Sequence, residues 1–213
     1  AFVVSSCLHN FGICRIAIGL SLTMTFADAR ALLDRHAVVS IMTLDEQRFI
    51  WDAVQAARGA VLEIGTAYGG TAALCALAGA RSIETIDNWR SGARRQCEQN
   101  LARLGLMDIV QQVAAESADV VTQFADECYS LVIIDGDHSG DVPFVDLCLY
   151  AAKVMPKGLL LVDDIANGYP AITRGRMRWL RTPQARQVTF QRAVSNNEAH
   201  CHDVVKLCVF ARH

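Results

Sequence analysis

"VLEIGTAYGGT", residues 61–71, decides the fold. Val61, Leu62 and Ile64 read as a short buried strand, and Gly65 permits a tight turn after it. Gly69, Gly70 and Thr71 then open a run of small residues, "GTAALCALAGA", that reads as a helix. Glycines let a ligand approach the backbone, and the first turn of a helix offers N–H groups with no partner inside the helix. The stretch predicts strand, turn and helix around a ligand. A dinucleotide fingerprint, G-x-G-x-x-G, would need a glycine at position 67 to admit a pyrophosphate; Ala67 stands there, which argues against a nicotinamide dehydrogenase.

On the amino-terminal side, "LDEQRFIWDAVQAARG" places Phe49, Ile50, Val54 and Ala57 at helical spacing and closes on Gly59, read as the helix stop. On the carboxyl side "SIETID", "DIVQQVA", "LVIID" and "GLLLVDD" read as strands, separated by the helical "ARRQCEQNLARLGL", "SADVVTQFADE" and "DVPFVDLCLYAAKVM". Alternation of apolar strands with helices predicts an α/β fold, a doubly wound parallel sheet covered on both faces. Beyond Pro170 the helical "TRGRMRWLR" precedes two strand-like runs, "QVTFQRAV" and "DVVKLCVFAR", expected as an antiparallel hairpin on the sheet edge. The expected whole is a mostly parallel, Rossmann-like sheet of seven strands.

With 213 residues, 52% of them hydrophobic, the chain can fill the core of one such domain. Basic and acidic side chains nearly balance, at a formal charge of −2 without long runs of either sign, so nothing advertises a nucleic-acid or membrane partner. Eight cysteines are scattered singly (Cys7, Cys14, Cys75, Cys97, Cys128, Cys148, Cys201, Cys208), as expected of buried free thiols in a reducing, cytoplasmic compartment. His200-Cys201-His202 is too compact for its members to share one ion. Arg15, "IAIGLSLTMTF" and Ala27-Asp28-Ala29 imitate a secretory signal, but the residues ahead of Arg15 are apolar where a signal is basic, and the stretch is too short and interrupted for a membrane span. Residues 1–42 are therefore expected to be a helical, apolar segment, a cap or homodimer contact, on a domain of residues 43–213.

The second informative stretch is "LVIIDGDHSGD", residues 131–141. Asp135 ends one strand and Asp163-Asp164 ends another, 28 residues later. Neighbouring strands lie about 4.8 Å apart, so the three acids would converge and their repulsion would demand a cation or a proton. A hard divalent ion with oxygen ligands, Mg²⁺ by default, answers that demand. Helix capping would account for one acid per helix and leave the others over. His138 is the candidate base and Asp137 its rival, weaker if a cation depresses its pKa; a hydrogen-bonding loop role for His138 stays open. Asp87, 22 residues after Gly65, can accept both hydroxyls of a ribose or simply face water. Trp89 could cover a base or pack under its loop, and Ser117 could cap the following helix.

Glu63 to Gly69, E-x-G-x-x-x-G, resembles the first motif of class I S-adenosylmethionine-dependent methyltransferases, and the resemblance extends from about residue 43 to 165. It implies that Glu63, Gly65, Thr66 and Gly69 pass under the methionine part of the cofactor and that the Thr71 hydroxyl contacts its carboxylate. It implies also that Asp87, Asn88, Trp89, Ser117 and Asp135 complete the cofactor site, with Ser117 near adenine. Asp135, Asp163 and Asp164 resemble the metal site of O-methyltransferases of the catechol and sugar or natural-product types. Catechol-type enzymes usually have Asp-Asn where Asp163-Asp164 stands, and a lysine where His138 stands. "DGDH" and Asp-Asp are more similar to the sugar and natural-product branch, which carries an aspartate at the place of Asp137. The implied activity is methyl transfer from S-adenosylmethionine to a hydroxyl of a sugar, natural product or catechol-like small molecule, assisted by Mg²⁺ or another divalent cation. A metal-independent methyltransferase and a cofactor-binding module without turnover remain the other readings. Acceptor contacts are expected from the N-terminal segment and residues 166–186, including Tyr169, Arg174, Arg176 and Trp179, unless the basic groups are only a solvated helix face.

Overall fold

The computed structural model describes residues 24–165, 169–195 and 205–213. The helices are α1 (Phe26–Arg35), α2 (Leu44–Ala57), α3 (Gly70–Leu77), α4 (Arg94–Arg103), α5 (Ser117–Val120), α6 (Val142–Tyr150) and α7 (Pro170–Trp179). The strands are β1 (Ala60–Ile64), β2 (Ser82–Asp87), β3 (Val110–Ala114), β4 (Tyr129–Ile134), β5 (Val154–Val162), β6 (Val188–Ser195) and β7 (Val205–Arg212). They form one seven-stranded sheet in the order β3-β2-β1-β4-β5-β7-β6. The first five strands are parallel, and β7 runs antiparallel to both β5 and β6. This is the doubly wound, mostly parallel architecture the alternation predicts, with a C-terminal antiparallel pair.

β1 and β4 are buried along their whole length, the mark of strands covered on both faces. One core gathers α1, α2, α3 and α4 on one face, with Leu33, Ile50, Leu74 and Leu101 fully buried. The other places α6 and α7 against the opposite face through Leu147, Tyr150, Ile172 and Trp179. In α1, Ala29 and Leu33 are completely buried in the same core as α3, and a Thr25–Asp28 capping box starts the helix. The expectations for residues 1–23 and for His200-Cys201-His202 lie outside the described residues. Among the described residues no helix is long and apolar enough to cross a membrane.

Register puts the polar rim in place. Ile64 pairs with Ile86 and with Ile134, and Ile134 pairs with Val162. The next residue of each strand therefore stands in line: Asp87, Gly65, Asp135, Asp163. The ladder is carried past the strand ends by Gly65 N–H to Ile86 O (2.9 Å), Asp135 N–H to Ile64 O (2.9 Å) and Asp163 N–H to Ile134 O (3.0 Å). The sheet reverses its winding between β1 and β4, where an open α/β sheet makes its crevice.

Some expectations are corrected. α2 stops with Arg58, not Gly59, in the left-handed conformation (φ 47°). Gly59 answers a different demand, since a Cβ there would lie 2.4 Å from Ser130 Oγ. "SADVVTQFADE" supplies only four α-helical residues followed by a 3-10 turn at Val121–Gln123. Cys75, Cys97, Cys148 and Cys208 are free thiols. Cys128, half-buried ahead of β4, is disulfide-bonded, so free thiols throughout do not hold.

Candidate functional site

The site lies along that rim. At β1, Gly65 has φ 95°, and a Cβ would come within 2.0 Å of Asp135 O, so only glycine lets the β1 and β4 ends approach. Gly69 (φ 77°) caps α3, and a Cβ there would meet Cys97 Sγ at 2.7 Å. Glu63 is 2% exposed and accepts the Thr85 hydroxyl at 2.9 Å. Thr85 and Thr66 share a short hydroxyl contact. Burial pushes the Glu63 carboxyl up to about 8, with the Thr85 bond opposing and Asp135 and Asp87 adding.

Asp87 is held by its own loop. One oxygen accepts the backbone N–H groups of Thr66 (3.0 Å) and Ala67 (2.9 Å), the other that of Trp89 (2.7 Å). A carboxylate has about four lone-pair sites, so these three bonds leave acceptor capacity on Asp87. Asn88 donates to Glu116 at 3.2 Å. Trp89 (φ 58°) packs against the α3–α4 core with a buried, unpartnered indole Nε1. Thr71 is 8% exposed and lies 3.2 Å from Ser40 Oγ.

Ser117 is the first residue of α5 and does not cap it; Glu116 holds the cap position. The Ser117 hydroxyl donates to Asp146 Oδ1 at 2.5 Å, and Tyr150 Oη donates to Ser117 O at 2.6 Å. Asp146, 1% exposed on α6, is a buried acid that the sequence reading missed. Burial raises its carboxyl to about 6, against the Ser117 bond. Its signal was a charge inside the apolar run "VPFVDLCLY".

At the β4 and β5 ends the acids converge. Asp135, His138 and Asp164 each offer one ligand atom within 4.8 Å of the others, the one such group among the described residues. Nε2 of His138 is 3.6 Å from Asp135 Oδ1, and Nδ1 is 3.7 Å from Asp164 Oδ2. Both separations exceed a hydrogen bond, and Nε2 is a buried atom without a partner. The Asp135 carboxylate, with Asp164 and Asp137, nonetheless raises the histidine pKa, against the opposing effect of burial. Burial chiefly raises Asp135, with Asp164 adding to it and His138 opposing. Asp164 takes a left-handed backbone (φ 55°), a strained conformation for a residue with a side chain. Asp163 stands outside the group: it is 5% exposed, and its Oδ1 accepts the Asp164 N–H at 2.7 Å. Burial and the nearby Asp135 and Glu46 push its carboxyl well above the carboxylate range. Asp137, exposed, accepts the Ser139 N–H at 2.9 Å. Glu46 of α2, fully buried, also acts on Asp135 and Asp163. The sequence shows it only as the last residue of the capping pattern "TLDE".

Tyr169 packs against His138 with ring centres 4.5 Å apart and ring planes tilted by 58°, and it is 43% exposed, so it can meet an acceptor. Trp179 cannot: it is fully buried against Phe210, because α7 turns Ala171, Ile172, Gly175 and Trp179 to the core. Arg174 and Arg178 line an open groove of about 400 Å³ with Gly140, Asp141 and Arg181. Arg178 is spent on Asp141 (3.3 Å) and on the Phe144 ring (3.8 Å). Arg176 instead reaches Cys208 Sγ at 3.6 Å.

Residues 62–165 match the family model described as a methyltransferase domain, over the rim just described. No curated protein sequence matches the chain. An O-methyltransferase from Bacillus cereus, solved in complex with SAH, superposes with TM-score 0.68 at 15% identity, over 92% of this chain and 94% of that one. The O-methyltransferase TomG from Streptomyces achromogenes, involved in tomaymycin synthesis and solved with SAM, gives 0.66 at 17%, over 87% and 86%. Cofactor-bound Rv0187 from MTB gives 0.67 at 18%, over 87% and 88%. At these identities the likeness establishes the fold.

Proposed function

We propose, from the premise that residues 62–165 are a methyltransferase domain of the class I type, that the protein transfers the methyl group of S-adenosylmethionine to a hydroxyl of a small molecule, with a divalent cation at Asp135 and Asp164. The convergence of Asp135, His138 and Asp164 beside the glycine turn carries this reading. The residues fit both groups: Asp87 keeps an acceptor site for a ribose, Thr71 a hydroxyl for a carboxylate, and the acid pair a place for a dication. Two carboxylates are hard oxygen ligands, suited to Mg²⁺ or another divalent cation such as Mn²⁺.

When bound, S-adenosylmethionine supplies an electrophilic methyl group and a dication neutralises the acids and acidifies the acceptor hydroxyl. The chain does the rest. His138, relieved of the carboxylates that hold its proton, takes the proton of the acceptor at a ring nitrogen, with Tyr169 covering its face. Gly65 lets the donor and acceptor strands close together, which orients the reacting groups. Sugar, natural-product or catechol-like acceptors suit a rim with the exposed Tyr169 and neighbouring arginines.

A second reading has its own observation. His138 stands where a cation would stand, within 3.7 Å of both acids, and could serve a metal-independent transfer. Calorimetry with S-adenosylhomocysteine, then turnover of a hydroxylated acceptor panel with excess chelator or with Mg²⁺ and Mn²⁺, separates the two. Cofactor binding with turnover that vanishes in chelator is expected. Undiminished turnover in chelator selects the metal-independent reading, and cofactor binding without any transfer leaves only a binding module.

A further inference from the structure

The buried acid that the transfer leaves unused is Glu46. One of its oxygens is accounted for: Oε2 accepts the Thr43 N–H at 2.7 Å and the Thr43 hydroxyl at 2.8 Å, the capping box that starts α2. The other, Oε1, is buried and has no hydrogen-bond partner. A capping carboxylate ordinarily stands in water, where its second oxygen is solvated at no cost. Here the residue is 0% exposed, and a buried polar oxygen without a hydrogen-bond partner costs the fold its desolvation. Its neighbours do not relieve it. Glu46 acts on Asp135 and Asp163 as a like charge, so acids are among its neighbours.

What would complete it is a cation, and the metal place is elsewhere. The group able to hold an ion is Asp135, His138 and Asp164, and Glu46 is outside it. The chain leading into α2 runs past the start of α3. Residues 39 and 40 are pressed on the start of α3: a Cβ on Gly70 would lie 2.2 Å from Val39 O, and Ser40 Oγ is 3.2 Å from Thr71 Oγ1. Six residues after Ser40 the same segment delivers Glu46 to the acid rim. It thus presents a hydroxyl pair beside a helix N-terminus, suited to a carboxylate, and an orphaned carboxylate, suited to an ammonium group. A free amino acid end carries both charges.

We propose that Glu46 Oε1 receives the α-ammonium of the methionine end of S-adenosylmethionine, so that the segment from Ser40 to Glu46 recognises this end as a zwitterion. The assignment rests on the methyltransferase reading. The test is calorimetric binding of S-adenosylhomocysteine, and of its analogue with the α-amino group replaced by hydrogen, to the wild type and E46Q in chelator. Mn²⁺ binding is measured separately. Wild type is expected to hold S-adenosylhomocysteine at least about tenfold tighter than E46Q does, the scale of a charge-assisted bond. Against the deaminated analogue the two proteins should not differ. Equal affinity of wild type and E46Q for S-adenosylhomocysteine overturns the proposal, as does an equal loss for both ligands. Weaker Mn²⁺ binding with intact S-adenosylhomocysteine binding also overturns it, by giving Glu46 to the metal. Wild type that binds no S-adenosylhomocysteine sinks the methyltransferase reading itself. Should E46Q fail to fold, E46D keeps the charge, withdraws it by one methylene and is read by the same comparison.

Discussion

The two halves of the rim satisfy their acids in opposite ways. On the β2 side, Asp87 is wrapped by three backbone N–H groups from the glycine turn and the following loop. On the β5 side, Asp135 and Asp164 face each other across one imidazole, both more than 3.5 Å from it, while Asp163 and Glu46 crowd behind. The first arrangement is complete as it stands, because backbone dipoles fixed by the fold supply the positive charge. The second keeps close acids whose repulsion a bound proton or a cation relieves. Folding thus satisfies the β2 side in advance, whereas under the proposed function the β5 side is finished by what binds there.

The sharpest way to break that contrast is to remove an acid from each half. D135N and D164N should lower turnover by roughly 10²–10⁴-fold, the range of a lost catalytic group, with little loss of S-adenosylhomocysteine affinity for D164N. D87N should do the reverse, weakening the cofactor by about tenfold or more through the lost ribose bond and the disturbed turn. Steady-state kinetics beside calorimetry reads both. If D87N costs turnover and spares cofactor affinity, the division between the halves is not the one described.

Between these halves, the β1 acid sharpens the comparison through pH. Glu63 is buried and its folded pKa lies near 8, above the usual 4.5. An acid raised on folding favours the folded state fully below its unfolded pKa, and that contribution is lost as pH rises through the folded one. From about pH 4.5 to 8, then, stability should fall with pH, and Glu63→Gln should remove that share of the slope, worth several kcal/mol in order of magnitude. Urea unfolding of both proteins between pH 4 and 9 is the measurement. Parallel curves would mean that Glu63 ionises in the fold as easily as in water.

The alignment of Gly65, Asp135 and Asp163 was legible because the apolar runs 131–134 and 159–162 stop at an acid and β1 stops at a glycine, and parallel register then sets those ends side by side. What the sequence could not show is which of two consecutive acids turns inward. Successive strand residues point to opposite faces, yet the left-handed backbone at Asp164 breaks that alternation and brings its carboxylate to His138, while Asp163 turns to an amide. Trp179 was misread for a different reason. Trp179 closes a stretch in which every second residue is an arginine, and only the helical spacing of Ala171, Ile172, Gly175 and Trp179 says which face is core. Glu46 and Asp146 escaped because a capping glutamate and a helical aspartate are ordinarily solvated, and their burial depends on elements distant in the chain.

Asp146 gives the smallest effect and the finest test of the contrast, because it is a buried acid satisfied by a side chain and not by the backbone. Its hydroxyl partner Ser117 lies at 2.5 Å, which lowers the carboxyl, but burial dominates and holds it near 6 where a free aspartate has 3.8. The sign is that of Glu63 with a narrower window: stability contributed by the proton is complete below about pH 3.8 and lost by about pH 6. An asparagine keeps an oxygen for Ser117 and cannot ionise, so Asp146→Asn should gain on the wild type as pH rises through that window, by about 1–3 kcal/mol, and then hold a constant lead. The lead of Glu63→Gln should keep growing to about pH 8. Urea titrations at pH 4, 5, 6 and 7.5 distinguish the two profiles. A D146N lead that does not change between pH 4 and 6 would show that Ser117 and the α5 turn solvate the charge as well as water does, placing this acid with Asp87 among the groups the fold has already satisfied.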